Sequence, residues 1–177
     1  MPAIFPDYPA PIARNAQFQR RHRFEHPTRA QLYASYHVQI TGWDWTYSFG
    51  VNASCCDDTQ YADYRHLFIR GTLLRPRKIK VETVELTFHP EQGLADMRRQ
   101  GDEPPPPSVG SLNIQDTQLT GYLFIPMDAL GPLLQMLVAD RFKYVLLDGE
   151  RMRYRKALIS RYEMTAHYDD ADYLDDD

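Results

Sequence analysis

The chain reads as a mainly β protein with one amphipathic helix, an internally duplicated antiparallel barrel or orthogonal sandwich with pseudo-two-fold symmetry. Three observations predict this. From Trp43 to Phe49 the sequence alternates without a fault, with Trp43, Trp45, Tyr47 and Phe49 on one side and Asp44, Thr46 and Ser48 on the other. Only a strand has that two-residue period. Second, the chain repeats itself. Shifted by 78 residues, Gly71, Arg75, Arg77, Lys78, Glu85, Thr87 and His89 meet Gly149, Arg153, Arg155, Lys156, Glu163, Thr165 and His167. The run Gln39 to Trp43 is echoed, one residue out of step, by Gln118 to Tyr122. Third, side-chain parity flips at the same place in both copies: Ile79 and Val81 against Val84, Leu86 and Phe88, and Ile159 against Tyr162 and Met164. A flip demands a bulge or a crossing between faces, the mark of barrel corners and orthogonal sandwiches.

Taken in order, residues 1–31 form an extended basic arm, with prolines at 2, 6, 9 and 11 ahead of Arg20, Arg21 and Arg23. Residues 32–168 are one β-rich domain of two repeats, 34–90 and 112–168, joined by a Pro-rich linker, 91–111, with prolines at 104 to 107. The first repeat opens with a strand from Leu32, bent or bulged at Gly42 because glycine inside a strand marks such sites. A loop follows through Cys55 and Cys56, where Asp58 caps a short helical turn carrying Tyr61 and Tyr64. His66 to Ile69 is a short strand, Gly71 a turn, and Leu73 to Phe88 a long strand. In the second repeat, β structure resumes from Ser111 to Thr120. Asp128 then caps a helix whose Leu130, Leu133, Leu134, Leu137 and Val138 fall at i, i+3, i+4, i+7 and i+8. Lys143 to Leu147, the pair Asp148-Gly149 and the residues from Glu150 read as strand, tight turn and strand. Residues 169–177 are an acidic tail.

Charge and cysteine usage narrow the function classes. The chain has 177 residues and a formal charge of −4, and removing the six aspartates of the tail leaves residues 1–168 at +2. A near-neutral body argues against a dedicated polyanion binder, which carries a strong basic stripe. Adjacent cysteines close a strained ring if paired, so Cys55 and Cys56 read as thiols in a reducing compartment. The N-terminus lacks an apolar signal core, and the longest apolar run, Leu133 to Ala139, is too short to span a bilayer. A cytoplasmic protein without membrane contact follows.

Four constellations are candidates for chemistry. Exposed, the rings of Trp43, Trp45, Tyr47 and Phe49 are a stacking platform for bases or sugars. Buried, they fill the core between the copies, and the polar reverse face favours burial. The repeated Glu-x-Thr-x-His places Glu85 and His89, and Glu163 and His167, on equivalent faces, a set suited to zinc or iron if the symmetry unites them. Polar faces of a half-solvated sheet are the plainer explanation. Arg75, Arg77 and Lys78, with Arg153, Arg155 and Lys156 and the flanking Arg151, are anion ligands or edge charges that prevent strand-to-strand aggregation. Cys55 and Cys56 are followed by two aspartates, which raise rather than lower a thiol pKa and disfavour a nucleophile. No phosphate-binding loop, Gly-x-Ser-x-Gly, His-Glu-x-x-His or dinucleotide pattern occurs. The sequence therefore points to a non-catalytic interaction or ligand-binding module without a cofactor, taking a protein partner or a second copy of itself. The alternative is a single-stranded nucleic-acid binder using the aromatic strand and basic hairpins, and the third reading a metal-dependent enzyme.

Overall fold

The computed structural model describes residues 33–51, 61–94, 96 and 108–168. The basic arm, the Cys55-Cys56 loop with Asp58, the prolines at 104 to 107 and the acidic tail lie outside the described residues. Seven strands are present among the described residues: β1 (Tyr33–Val51), β2 (Tyr61–Arg75), β3 (Thr83–Glu91), β4 (Gly110–Gln115), β5 (Gln118–Pro126), β6 (Tyr144–Glu150) and β7 (Lys156–Thr165). A 3₁₀ turn, Met127–Ala129, leads into the helix α1 (Leu130–Val138) between β5 and β6. No helix among the described residues is long and apolar enough to cross a membrane.

The strands hydrogen-bond in one closed order, β1-β2-β3-β5-β4-β7-β6 and back to β1. Six neighbouring pairs are antiparallel and one, β3 with β5, is parallel. The purely antiparallel arrangement expected from the sequence is corrected on this point, and arithmetic makes the correction unavoidable. Alternating directions cannot close round a ring with an odd number of strands, so at least one pair must be parallel. The strand order supplies it: β4 lies on the far side of β5 from β3, so β5 comes back beside β3 in the same direction, in keeping with the longer links that parallel pairs need.

Inward side chains fill the ring. Tyr36 and Val38 of β1, Leu67 and Ile69 of β2, Val84, Leu86 and Phe88 of β3, and Leu119, Leu123 and Ile125 of β5 are all buried. Leu112, Val145, Leu147, Ala157 and Ile159 complete the circuit. Leu130 and Leu137 of α1 join this core, whereas Val138 is 72% exposed. Leu133 and Leu134 are half-buried against the same core, so the apolar stripe of the helix holds from Leu130 to Leu137 and ends before Val138. Asp128 is not the cap that its position suggests: it lies in the 3₁₀ turn, and the helix starts after Ala129 without a side-chain cap.

Bulges and one break shape the strands. Thr41 is an extra residue between Ile40, opposite Gly71, and Gly42, opposite Arg70, so β1 is bulged where Gly42 predicts it. Ser160 is extra in β7, since Gly149 pairs with Ile159 and Asp148 with Arg161. That bulge is the parity flip expected between Ile159 and Tyr162. The first-copy flip has another cause. Leu73 to Phe88 is not one strand, because β2 stops at Arg75 before Pro76, which has no backbone donor, and β3 starts only at Thr83.

Both repeated glycines face such bulges rather than forming turns. A Cβ on Gly71 would lie 2.5 Å from Val38 Cγ1 and closer still to the carbonyl oxygen of Gln39, and one on Gly149 would run into the Leu158 carbonyl. Only glycine permits that approach. β2 therefore runs straight through Gly71, and the predicted helical turn at Tyr61 and Tyr64 is the start of the same strand. Likewise β6 runs through Asp148-Gly149, with Asp148 accepting a 2.7 Å hydrogen bond from Ser35 Oγ. The actual hairpin turn is Arg153 to Lys156, with Tyr154 at φ 49° and Arg155 at φ 66° between two reciprocal backbone hydrogen bonds. Two central residues of positive φ are the turn geometry that suits strand twist. Ser111 to Thr120 is likewise a hairpin, β4 and β5 meeting around Asp116 at φ 50°.

Hairpins β2/β3 and β6/β7 are both antiparallel neighbours, but their registers differ. Ile69 faces Leu86, while Leu147 faces Tyr162 rather than Met164, an offset of two residues. The echoed strands also have different neighbours, β1 lying between β2 and β6 and β5 between β3 and β4. Arg75 is 4% exposed within a strand, whereas Arg153 is exposed in the β6/β7 turn.

Candidate binding surfaces

Strand directions give the ring two distinct ends. β3, β5 and β7 finish at the end where α1 packs and where the β1/β2 ribbon projects; the 76–82 and 151–155 turns lie at the other. β6 pairs with β1 only from Tyr33 to Gln39, and β3 with β2 only from Leu67 to Gly71. Residues 44–51, paired with 61–68, form a two-stranded ribbon whose outer part reaches past the ring.

The bulge at Thr41 decides what that ribbon presents. It shifts parity so that Trp43 lies opposite the buried Ile69 and Trp45 opposite the buried Leu67. The aromatic stripe is therefore the inward face of the ring continued beyond the ring. Trp43 still packs on the core, but Trp45 is 43%, Tyr47 53% and Phe49 59% exposed. Burial of all four rings, favoured by the polar reverse face, is overturned, because no strand stands opposite this part of the ribbon. Trp45 and Tyr47 stack at 6.4 Å and 27°. The Arg65 guanidinium sits 5.6 Å above the Tyr47 ring, held by Asp63, and its other end reaches the Met127 sulfur at 3.4 Å. Between ribbon and helix runs a groove of about 360 Å³ lined by Trp45, Tyr47, Arg65, Met127, Leu130 and Leu134.

A second aromatic row crosses the outside of β2, β3 and β5. His66 contacts Phe68 at 6.1 Å and His89 at 4.6 Å, and His89 in turn stacks on Tyr122 at 5.9 Å and meets Phe124 at 6.2 Å. Loss of hydration and, less strongly, the neighbouring His66 lower the pKa of His89. The alternation of Thr120, Tyr122 and Phe124 with buried Leu119, Leu123 and Ile125 carries this row in sequence, yet only the neighbouring strands reveal the imidazoles that complete it.

The proposed metal set is not brought together. Glu85 and His89 lie on β3 and Glu163 and His167 on or just after β7, with β5 and β4 between them in the ring. His89 meets His66 instead, and Glu163 pairs with Arg161 at 2.9 Å. Among the described residues no group of three His, Cys, Asp or Glu side chains could hold a metal ion.

The basic residues gather at the end opposite the helix. β2 ends at Arg75, opposite His37, so residues 33–36 have β6 along one edge and no β2 partner along the other. Beside that edge is a cavity of about 200 Å³, walled by Tyr33, Tyr36, Ile79 and Met152 and by the cations Arg75, Lys78 and Arg151. Arg75 Nε donates to the Tyr168 hydroxyl at 3.2 Å, and the Tyr168 ring meets buried His37 edge-on at 5.1 Å. Arg77 lines a separate, shallower depression, while Arg153, Arg155 and Lys156 occupy the hairpin turn outside the cavity. Tyr36 donates to the Glu150 carbonyl at 2.7 Å. Burial pushes its hydroxyl up to about 12, against the weaker opposing pull of a Met152 backbone hydrogen bond and the Arg151 charge. No family model matches this chain, and no curated protein or solved structure resembles it significantly.

Proposed function

We propose that the protein is a non-catalytic binding module, and that its principal contact surface is the groove between the aromatic ribbon and α1. One observation carries this: three stacked or neighbouring rings stand in solvent at the open side of an apolar groove. Large apolar surface of that kind on a folded domain marks an interaction site. The occupant that fits is an extended partner segment bearing aliphatic or aromatic anchors. Among the described residues that line the groove Arg65 alone is charged, and Asp63 already engages it, so little there favours a phosphate backbone. The closed order of strands supports a small barrel as the scaffold. The repeated residues support an ancestral duplication limited to the hairpins, and the adjacent thiols support a reducing compartment.

The test is selection of peptides from a random display library on the full-length chain. Peptides with paired apolar anchors should be enriched, and Trp45→Ser with Tyr47→Ser should weaken their binding by at least about tenfold, as loss of aromatic anchors does, with the fold intact. Equal binding by the double variant would remove the groove from consideration.

A single-stranded nucleic-acid binder is the second reading, favoured by the row His66, His89, Tyr122 and Phe124 on the outer face. Stacking on such rings is sequence-tolerant. Against it stands the separation of the rings from the basic end. Labelled oligonucleotide binding at low salt, with and without residues 169–177, decides: this reading requires binding that the deletion strengthens and salt abolishes.

A further inference from the structure

The cavity at the basic end is built differently from the aromatic groove and owes nothing to it. Its wall combines three cations from three separate segments with an apolar floor, and none of the described residues lining it is acidic. Arg75 comes from the end of β2, Lys78 from the following loop and Arg151 from the end of β6, so the fold rather than local sequence assembles the set. Arg75 is almost fully buried and is oriented by the Tyr168 hydroxyl, which fixes its fork instead of leaving it to swing as a surface arginine does. The edge of residues 33–36 that β2 does not reach adds backbone polar groups along one side. On the other, Tyr33, Ile79 and Met152 offer only carbon and sulfur surface plus one hydroxyl.

We infer that this cavity binds a small organic carboxylate with a compact apolar body. The carboxylate lies against Lys78 and Arg151, with Arg75 behind them, and the body lies on Tyr33, Tyr36, Ile79 and Met152. Size sets the class. A volume near 200 Å³, somewhat above the ~150 Å³ of a cavity that accepts benzene, suits a single ring with a short acid arm. Convergent polar groups over an apolar floor are the general pattern of small-ligand sites. Charge and apolar body are both required, so neither inorganic phosphate nor a neutral aromatic compound satisfies the site alone.

Phenylacetate is the probe, with phenylacetamide as its neutral counterpart and inorganic phosphate as the bare anion. Binding to the full-length protein is followed at low salt through methyl resonances, those of Met152 and Ile79 reporting the cavity. Phenylacetate should bind saturably and shift those methyls, with phenylacetamide and phosphate each weaker by about tenfold or more, the scale of a lost charge-assisted contact. Lys78→Gln and Arg151→Gln, both at exposed positions and therefore harmless to folding, should each weaken phenylacetate severalfold. Equal affinity for phenylacetamide overturns the inference, as does unchanged affinity in both variants, shifts confined to other methyls, or no saturation below ~10 mM.

Discussion

The two ends of the ring are made from the same strands and end up chemically opposite. At the helix end β1 and β2 outrun their neighbours, and rings that would have been core emerge into solvent over Leu130 and Leu134. At the basic end β1 starts before β2 has reached it, and the gap is edged by Arg75, Lys78 and Arg151. Both sites are thus consequences of unequal strand length: an overhang makes an apolar platform, a shortfall makes a charged cavity. From His37 to Trp45 the chain advances eight residues along β1, roughly 26 Å at 3.3 Å per residue. Such a distance separates the sites well beyond a Debye length. Aromatic and basic residues that alternate in a nucleic-acid groove are here kept apart, which is why the two surfaces are assigned different occupants.

The largest effect expected is at the helix that backs the aromatic end. Leu137→Asp places an unpaired carboxylate in the core and should cost about 4 kcal/mol or more. Val138→Asp, one residue on but 72% exposed, should stay within about 0.5 kcal/mol. Denaturant midpoints of the two variants compare them directly. Similar losses from both would mean that α1 is seated otherwise, and the groove with it.

Sequence periodicity established which side chains share a face, but not where the face ends. Trp43, Trp45, Tyr47 and Phe49 do line one side of a strand; their exposure depends on β6 and β3 stopping short, a property of pairing that no local pattern records. The second-copy parity flip was legible and Ser160 realises it as a bulge, the first-copy flip is instead a break between two strands, and Thr41 bulges where Gly42 marks the site. Asp148-Gly149 misled because glycine serves a close approach at a bulge as well as a turn, while the true turn uses Tyr154 and Arg155, unremarkable in sequence. Among the basic residues, spacing grouped Arg75 with Arg77 and Lys78. The fold instead unites Arg75 and Lys78 with Arg151 and leaves Arg77 outside.

A tyrosine serves each end, Tyr36 fully buried and Tyr162 half-buried, and the pair sharpens the comparison at alkaline pH. Tyr36 and Tyr162 both lie opposite Leu147, the first donating toward the basic end at Glu150, the second toward the helix end at Phe124. Burial raises both to about 12. The neutral phenols are favoured in the fold, so their contribution is complete below pH 10 and is lost as pH rises through 12. Stability should fall across that window, roughly 2–3 kcal/mol from Tyr36 alone. Urea unfolding between pH 9 and 12, with Tyr36→Phe and Tyr162→Phe as references, should show each substitution flattening the slope. A smaller effect in the acid direction belongs to His89, whose lowered pKa means that its contribution is present above the ordinary histidine value and lost as pH falls through the folded one. Imidazole proton resonances should report His89 titrating below a solvated histidine, and His66→Ala should move it back only in part, since burial is the larger cause.

The central claim is that the overhang leaves its rings in solvent as a contact surface, and the chain's two tryptophans, one on each side of the boundary, allow it to be tested without a ligand. Trp43→Phe leaves Trp45 as the sole indole, and Trp45→Phe leaves Trp43. Acrylamide quenching of the native variants should find Trp45 red-shifted and readily quenched, and Trp43, packed on the core, blue-shifted and several times less accessible. Equal protection of both would contradict the account, placing the whole stripe inside the protein and leaving the helix end without an open aromatic face.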